Sequence, residues 1–101
     1  MAREQFQTLT EPMYYILLAL TEECCGVDIM EKVKVISHGR VLVGPGTIYA
    51  MLAKFEENGI IRMTTSEGRR KSYIITVTGR EMLQKEYDRL LVMVKDGECF
   101  I

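Results

Sequence analysis

Apolar residues recur along this chain with the spacing of helices in four segments and with the alternation of strands in two. The third helical segment runs from Pro45 to Asn58 and places Ile48, Met51, Leu52 and Phe55 on one face. A proline at the start and Gly59 after the end are typical helix boundaries. The other face carries small, polar and aromatic residues: Thr47, Tyr49, Ala50, Ala53 and Lys54. Such a helix suits insertion into the major groove of DNA.

Two strand-like runs follow this helix, Ile60 to Ser66 and Ser72 to Val77. Both alternate apolar and polar residues and are rich in Ile, Thr, Val and Tyr, as half-buried strands are. The connecting segment, Glu67 to Lys71, has a glycine turn and three consecutive cations: Arg69, Arg70 and Lys71. A helix followed by a two-stranded ribbon with a basic tip predicts a winged helix-turn-helix. The helix reads the groove and the ribbon, or wing, grips the adjacent backbone.

Three other helices are predicted. The first opens at Thr10 as N-cap with Pro12 in its first turn, and we expect it to end near Glu22–Glu23. The second spans Gly26 to Ser37. Between it and the third helix, Arg40–Val43 is extended in character and predicts a third strand of the wing sheet. The last helix starts from a capping box, Thr78 to Glu81, and runs to about Lys95.

The last helix predicts self-association. Leu83, Tyr87, Leu90 and Val94 fall at 4-3-4 spacing, which is the seam of a helix that pairs with another helix. The first helix has almost no polar face and needs cover on more than one side, which brings Leu17 into the predicted dimer interface with those four residues. A symmetric homodimer is the simplest arrangement. Core packing within one subunit is the alternative.

The fold class expected from these elements is mainly α (α+β), a winged helix-turn-helix with a C-terminal dimerisation helix. Residues 1–79 would form the DNA-binding part with the N-terminal helix, and residues 80–101 the dimerisation helix and tail, together one compact domain. The longest apolar run, Met13 to Leu20, is too short to span a membrane, and Met1–Gln5 lacks a signal-peptide core. We therefore expect a cytoplasmic protein with no membrane partner.

Charge is unevenly distributed although the formal net charge is only −1. Residues 36–80 hold seven Lys or Arg against three Glu, a balance of +4, and the rest of the chain has a balance of −5. Basic charge is therefore concentrated in the segment that contains the predicted DNA-reading helix and the wing. This pattern favours a dimeric DNA-binding regulator over a general nucleic-acid coat protein.

Cysteines and potential catalytic groups are few. Cys24, Cys25 and Cys99 lack zinc-type spacing, and His38 is the only histidine, so we expect no metal site and no cofactor. Reduced structural thiols are the plain interpretation, and a thiol- or metal-responsive regulator on the same fold is the alternative. The sequence has no nucleophile elbow and no phosphate loop, so we expect no catalytic residues and no enzyme activity.

Three sequence blocks together resemble the PadR-like transcriptional regulators: Leu9 to Leu20, Gly44 to Tyr49, and Gly68 to Tyr73 with Thr76 to Arg80. The resemblance covers roughly residues 9 to 95, and the short C-terminal part is similar to the compact subgroup with one terminal helix. It implies a homodimeric winged-helix repressor on a pseudo-palindromic operator of double-stranded DNA. It also implies that, in some members, a flat aromatic ligand bound at the dimer interface releases the protein from DNA. The chain departs from the family at Cys24–Asp28, where members commonly have His-Gly-Tyr-Gly, and it has no Trp.

The candidate functional residues follow from the pattern and from the resemblance. The expected DNA contacts are Thr47, Tyr49, Lys54, Arg69, Arg70 and Lys71. Thr47 and Tyr49 can donate hydroxyls to phosphates, although Thr47 could also cap its helix and the Tyr49 ring could pack behind it. The expected pocket for a small aromatic effector is lined by Tyr14, Tyr15 and Tyr87, with Met82 and Met93 nearby in the sequence pattern. A winged-helix module that binds protein is the alternative function.

Overall fold

The computed structural model describes residues 8–101, which form four helices and a three-stranded antiparallel sheet. In chain order the elements are α1 (Glu11–Ala19), β1 (Cys24–Cys25), α2 (Gly26–Ile36), α3 (Pro45–Glu57), β2 (Ile61–Glu67), β3 (Arg70–Ile75) and α4 (Val77–Glu98). The predicted winged helix-turn-helix fold is confirmed, with α3 in the position of the recognition helix of that fold and β2–β3 as the wing. The predicted boundary between residues 79 and 80 falls inside α4.

Helix α1 begins as predicted but ends earlier. The Thr10 hydroxyl accepts a hydrogen bond from the Met13 backbone N–H at 3.4 Å, and the Met13 sulfur accepts one from the Thr10 N–H at 3.4 Å. The helix ends at Ala19 rather than near Glu22–Glu23. The reason is tertiary, because the Leu20 carbonyl accepts a hydrogen bond from the Ile75 N–H at 2.8 Å and the chain then turns into β1.

The third strand of the sheet is β1, so its assignment to Arg40–Val43 is wrong. The strand order is β1-β3-β2, and Cys24 pairs with Tyr73 while Cys25 pairs with Ser72. Residues 40–43 form no strand because the buried Ser37 side chain holds them against the end of α2. Its hydroxyl accepts from the Val41 N–H at 3.0 Å and lies 3.4 Å from the Val41 carbonyl oxygen.

The N-cap of helix α4 lies two residues before the predicted N-cap, Thr78. This N-cap is Thr76, whose hydroxyl accepts from the Gly79 N–H at 3.1 Å and donates to the Gly59 carbonyl at 2.6 Å. Thr76 thereby joins the end of the wing to the loop after α3. The helix also continues past Lys95 to Glu98, so that Gly97 lies within its last turn.

The core lies between α1, α2, α3 and the inner face of the sheet. Its largest fully buried side chains come from all four of these elements and include Phe55, Ile16, Leu17, Ile29, Ile48 and Ile61. Leu17 is 0% exposed and therefore packs inside its own subunit, not on a surface that a partner could reach. This corrects its expected place in the dimer interface. Among α4 residues, Met82 and Glu86 are buried against this core.

Candidate nucleic-acid interface

The recognition helix α3 divides into a buried face and an exposed face. Ile48, Leu52 and Phe55 are at most 2% exposed, whereas Thr47, Tyr49 and Lys54 lie on the exposed face. The N-cap, Gly44, has no side chain to accept hydrogen bonds from the first turn. Because the first N–H groups of a helix have no partner within it, they remain available to an anionic oxygen such as a phosphate. Both the exposed face and the start of α3 are therefore open to a nucleic-acid backbone.

The Tyr49 ring is half exposed and packs over the start of α2. It is 49% exposed, and a β-carbon built on Gly26 would lie 3.3 Å from Tyr49 Cε1. Part of the Tyr49 ring therefore packs on Gly26, while much of the side chain faces solvent and leaves the hydroxyl free to contact a phosphate as predicted. Gly26 therefore leaves room for an aromatic ring that holds α3 against α2 beside the exposed face.

The wing is tighter than the sequence indicated. Glu67 pairs with Arg70 across a turn of only Gly68 and Arg69, and Gly68 has φ of 59°, a conformation that glycine adopts without strain. Of the three cations, only Arg69 is in the turn, and Arg70 and Lys71 belong to β3. Because side chains alternate along a strand, Lys71 and Tyr73 share one side of the ribbon, and Arg69 in the turn lines the same groove as these two residues. All three cations are exposed to solvent.

A groove of about 210 Å³ joins the wing to the helices. We call it the basic groove, and it is lined by Cys25, Gly26, Val27, Tyr49, Arg69, Lys71 and Tyr73. The start of α2 lies at this groove, and the Cys25 side chain at its N-cap makes no capping hydrogen bond to the first-turn N–H groups. Two cations and a helix N-terminus together form a surface of positive potential next to α3.

Arg70 occupies a different position from its two neighbours. Its guanidinium lies 3.8 Å from a carboxylate oxygen of Asp28 in the first turn of α2, and both side chains are mostly exposed. Such an exposed pair contributes little to stability. It does place a negative charge beside the wing, which offsets part of the wing's attraction for polyanions.

Sequence reasoning missed the contribution of α2 to this surface. The sequence predicts only a helix start at Gly26, Val27 and Asp28, yet Gly26 and Val27 line the basic groove and Asp28 contacts Arg70. One feature of the sequence could have pointed to α2. Residues Cys24–Asp28 depart from the family pattern, and such a departure at a helix start is a reason to examine what that helix start contacts. Their neighbours across the groove come from the wing, which lies more than forty residues later in the chain.

The predicted effector residues divide between two clefts along the contact of α1 and α4. A cleft of about 380 Å³ is lined by Tyr14, Leu18, Arg80, Leu83, Gln84 and Tyr87. A second cleft of about 230 Å³ is lined by Leu9, Glu11, Tyr14, Tyr15, Glu86, Arg89 and Leu90. Tyr14 contributes to both, and its ring meets that of Tyr15 edge to face at 5.7 Å. Met82 is buried in the core and Met93 is exposed, so neither lines these clefts.

Burial and nearby groups change the ionisation of two side chains beside these clefts. Burial raises the pKa of Tyr14, and the neighbouring Tyr87 and Tyr15 add to this effect. The Arg89 guanidinium, 2.6 Å from the Glu86 carboxylate, lowers the pKa of Glu86 against the opposing effect of burial. Tyr14 is therefore neutral and Glu86 is charged at physiological pH.

The predicted dimer residues on α4 have different environments. Leu83 and Leu90 are partly buried, whereas Tyr87 and Val94 are 49% and 63% exposed. Leu91, Val92 and Met93 are also exposed, so the C-terminal half of α4 carries a large apolar surface that its own subunit leaves open.

The cysteines lie in three different environments. Cys24 is buried, and burial raises the pKa of its thiol, which favours the unreactive protonated form. Cys25 is half-buried at the start of α2, and Cys99 is exposed beyond α4. Among residues 8–101, no three His, Cys, Asp or Glu side chains lie close enough together to hold a metal ion. None of the helices in that range has both the length and the apolar character to cross a membrane.

Comparison with known families shows which protein family has this fold and sequence. The model of the transcriptional regulator PadR-like family matches residues 16–85, which is more than half of the chain. The chain belongs to the PadR-like family. Members of this family are DNA-binding transcription regulators and not enzymes, so the expected regulator without catalytic function is confirmed. The matched residues include α2, α3 and the wing, the three elements that form the basic groove.

Solved structures support the same fold. A transcriptional regulator from Clostridium thermocellum is 21% identical with a TM-score of 0.72, over 87% of this chain and 89% of that one. A PadR family regulator from Clostridium difficile is 23% identical with a TM-score of 0.68, over 86% and 96% of the two chains. Bacillus subtilis PadR, solved with operator DNA, is 27% identical with a TM-score of 0.59, over 79% of this PadR-like chain and 47% of that protein.

One relative by sequence is an uncharacterized 37.1 kDa protein in transposon TN4556 of Streptomyces fradiae. It is 36% identical over 44 residues, which are 44% of this chain. The match spans only 13% of that protein's length.

Proposed function

We propose that this PadR-like protein is a homodimeric repressor that binds a pseudo-palindromic operator through α3 and the wing. The basic groove is the single observation that carries the proposal. There, the exposed face of α3, the start of α2 and the cations Arg69 and Lys71 converge on one surface. An operator-bound dimer represses because it excludes other proteins from the DNA it covers.

The proposed roles of the side chains follow from their positions. Thr47 and Lys54, exposed on α3, contact the DNA that α3 enters, Thr47 through its hydroxyl and Lys54 through its ammonium. Tyr49 donates its hydroxyl to a phosphate while its ring stays packed on Gly26. Arg69 and Lys71 neutralise the backbone beside the groove. Arg70 contributes less to DNA binding than Arg69, because Asp28 competes for its guanidinium.

Two features of α4 support the homodimer. The helix is 22 residues long and therefore about 33 Å, yet its buried residues lie only in its first half, at Gly79, Met82 and Glu86. The chain has a radius of gyration of 14.3 Å, compared with about 13 Å expected for a compact domain of this length. Tyr87 at the middle of the helix and Leu91 and Val94 on its second half leave an apolar face exposed, and a second copy of the same helix would cover it.

The two clefts along α1 and α4 support an effector site. The larger cleft has Tyr14 and Tyr87 on its walls with Arg80 at its edge, and Tyr15 lies in the neighbouring cleft. Aromatic walls suit a small planar ligand. Because both clefts border the proposed dimer helix, a ligand there would change how two subunits, and hence two α3 helices, are spaced.

The proposal is tested by selecting duplexes from a random pool with the full chain. Fluorescence anisotropy then compares the enriched duplex with a scrambled one at two salt concentrations, and sedimentation gives the number of subunits per duplex. We expect an enriched inverted repeat, bound by two subunits and preferred over the scrambled sequence at both salt concentrations. A reporter gene behind the enriched duplex should be expressed less when the protein is present.

Two results would contradict the proposal. Equal, weak binding to both duplexes that disappears at the higher salt concentration would reduce the basic groove to a non-specific surface and favour the protein-binding alternative. Enrichment of a single site without inverted symmetry, bound by one subunit, would contradict the dimer.

A further inference from the structure

A second groove lies beside the basic groove, and its surface is apolar. We call it the apolar groove, and it is lined by Gly26, Val27, Met30, Pro45, Ile48 and Tyr49. It encloses about 220 Å³ between the first turns of α2 and α3. None of the six residue types carries a charge, and the Tyr49 hydroxyl is the one polar side-chain group among them. A phosphate in this groove would find almost no side-chain hydrogen-bond donor.

The exposure of its walls is unusual for apolar side chains. Val27 is 56% exposed and Met30 is 40% exposed, whereas Ile48, at the bottom of the groove, is 1% exposed. The residues come from two helices whose remaining apolar side chains are mostly in the core. An apolar groove that stays open to water in the isolated subunit gains free energy when a partner with an apolar group covers it.

The position of the apolar groove identifies that partner as DNA. It shares Gly26, Val27 and Tyr49 with the basic groove, so the two form one continuous surface. A duplex held by Arg69 and Lys71 on one side and entered by α3 on the other must pass over the apolar groove. This step rests on the proposed function, because it assumes that α3 and the wing hold the duplex.

The apolar group that DNA presents in its major groove is the C5-methyl of thymine. Cytosine and the purine edges present polar donors and acceptors there, which the apolar groove cannot satisfy. We propose that Val27, with Pro45 and the Tyr49 ring, receives a thymine methyl and so specifies thymine at one position of each operator half-site. Val27 is then a specificity-determining residue outside the recognition helix.

The test uses the enriched duplex with each thymine replaced in turn by deoxyuridine, which removes only the methyl. Fluorescence anisotropy measures Kd for the wild-type chain, for Val27→Ala and for the control Val35→Ala. Val35 is a suitable control because it is exposed on the same helix but lies near its far end. We expect one position per half-site where deoxyuridine weakens wild-type and Val35→Ala binding about fourfold, which is the effect of one buried methyl. Val27→Ala should bind the thymine and deoxyuridine duplexes with nearly equal Kd.

The outcomes separate this inference from the proposed function. Sequence-specific binding that is insensitive to deoxyuridine at every position overturns the inference and leaves the repressor intact. The same holds if Val27→Ala keeps the full wild-type discrimination. Failure to enrich any duplex overturns the repressor proposal, and the thymine contact with it.

Discussion

At the scale of single residues, Gly79 has the least room for change among the described glycines. It is buried in the first turn of α4, where a β-carbon would overlap the Ile60 carbonyl oxygen and come within 2.6 Å of Ile75 Cγ1. Its backbone N–H also bonds the Thr76 cap. Gly79 therefore allows α4 to start in direct contact with the loop after α3 and with the end of β3.

We expect Gly79→Ala to lower the free energy of unfolding by about 3 kcal/mol, at the upper end of the usual cost of overpacking, because backbone atoms cannot move aside. Gly97→Ala on the same helix is the matched control. A β-carbon there has an ordinary contact of 3.8 Å to Ile101, and alanine should raise the stability by a few tenths up to about 1 kcal/mol. Urea unfolding at one protein concentration measures both, and equal effects would contradict the close packing at Gly79.

Glu86 is a buried carboxylate that links α4 to the segment before α1. It is 4% exposed, bonds the Arg89 guanidinium at 2.6 and 2.8 Å and accepts a hydrogen bond from the Leu9 N–H at 3.3 Å. The Arg89 bond lowers the pKa of this carboxyl below its ordinary value of 4.5. A carboxyl with a lowered pKa in the folded state stabilises that state above its ordinary pKa and loses the contribution as the pH falls through the lowered value.

Glu86→Gln should therefore cost roughly 1–3 kcal/mol of stability at pH 7, because the Arg89 pair and the charged acceptor for Leu9 are lost. The difference from wild type should shrink as the pH falls below 4.5. Urea unfolding from pH 7 to pH 3 measures it, with the exposed Glu31→Gln as control. A difference that stays constant over this range would show that Glu86 acts through its shape and not through its charge.

At the scale of elements, the wing and the start of α2 work as one basic surface. The Gly68 turn makes the wing short, Arg69 in this turn and Lys71 in β3 both line the basic groove, and Arg70 contacts Asp28. The effect of the wing on DNA should therefore depend on charge and be independent of base sequence.

We expect Arg69→Ala combined with Arg70→Ala to weaken binding to enriched and scrambled duplexes alike. The slope of log K against log salt should fall by up to about two per subunit, since each phosphate contact contributes about one. Lys34→Ala combined with Lys85→Ala changes the net charge equally on exposed positions outside both grooves. Anisotropy titrations across salt concentrations compare the two, and an unchanged slope in the arginine variant would contradict the role of the wing.

At the scale of the whole molecule, the exposed half of α4 is the part that a single subunit does not explain. Val94 lies on the 4-3-4 seam and is 63% exposed, and Val92 is 57% exposed on roughly the opposite side of the helix. The two valines are thus nearly equal in exposure and differ in the face on which they lie.

We expect Val94→Glu to shift the protein from dimer to monomer in analytical ultracentrifugation, because a carboxylate would be buried at the seam without a partner. Val92→Glu introduces the same charge outside the seam and should leave the dimer unchanged. Dissociation by both variants, or by Val92→Glu alone, would place the dimer contact on another face of α4.

The sequence by itself determined the four helices, the two strands of the wing and the family. Hydrophobic spacing sets α3, Pro45 and Gly59 mark its ends, and alternation in Ile60 to Val77 predicts the ribbon, because these signals depend on neighbours within a few residues. The three blocks of family resemblance likewise lie within single elements and their caps. For the same reason the exposed face of α3 and the basic turn were identified without coordinates.

Only the tertiary structure decided the partners across elements. Cys24–Cys25, not Arg40–Val43, completes the sheet because Leu20 bonds Ile75 and Ser37 holds Val41. Leu17 is buried in its own subunit, Thr76 replaces Thr78 as the cap, and the start of α2 joins the wing to form the basic groove. Each of these contacts either joins groups from different elements or depends on the residue at which a neighbouring element ends. Local periodicity carries no information about these contacts, because packing between elements that are distant in the sequence determines which residues pair.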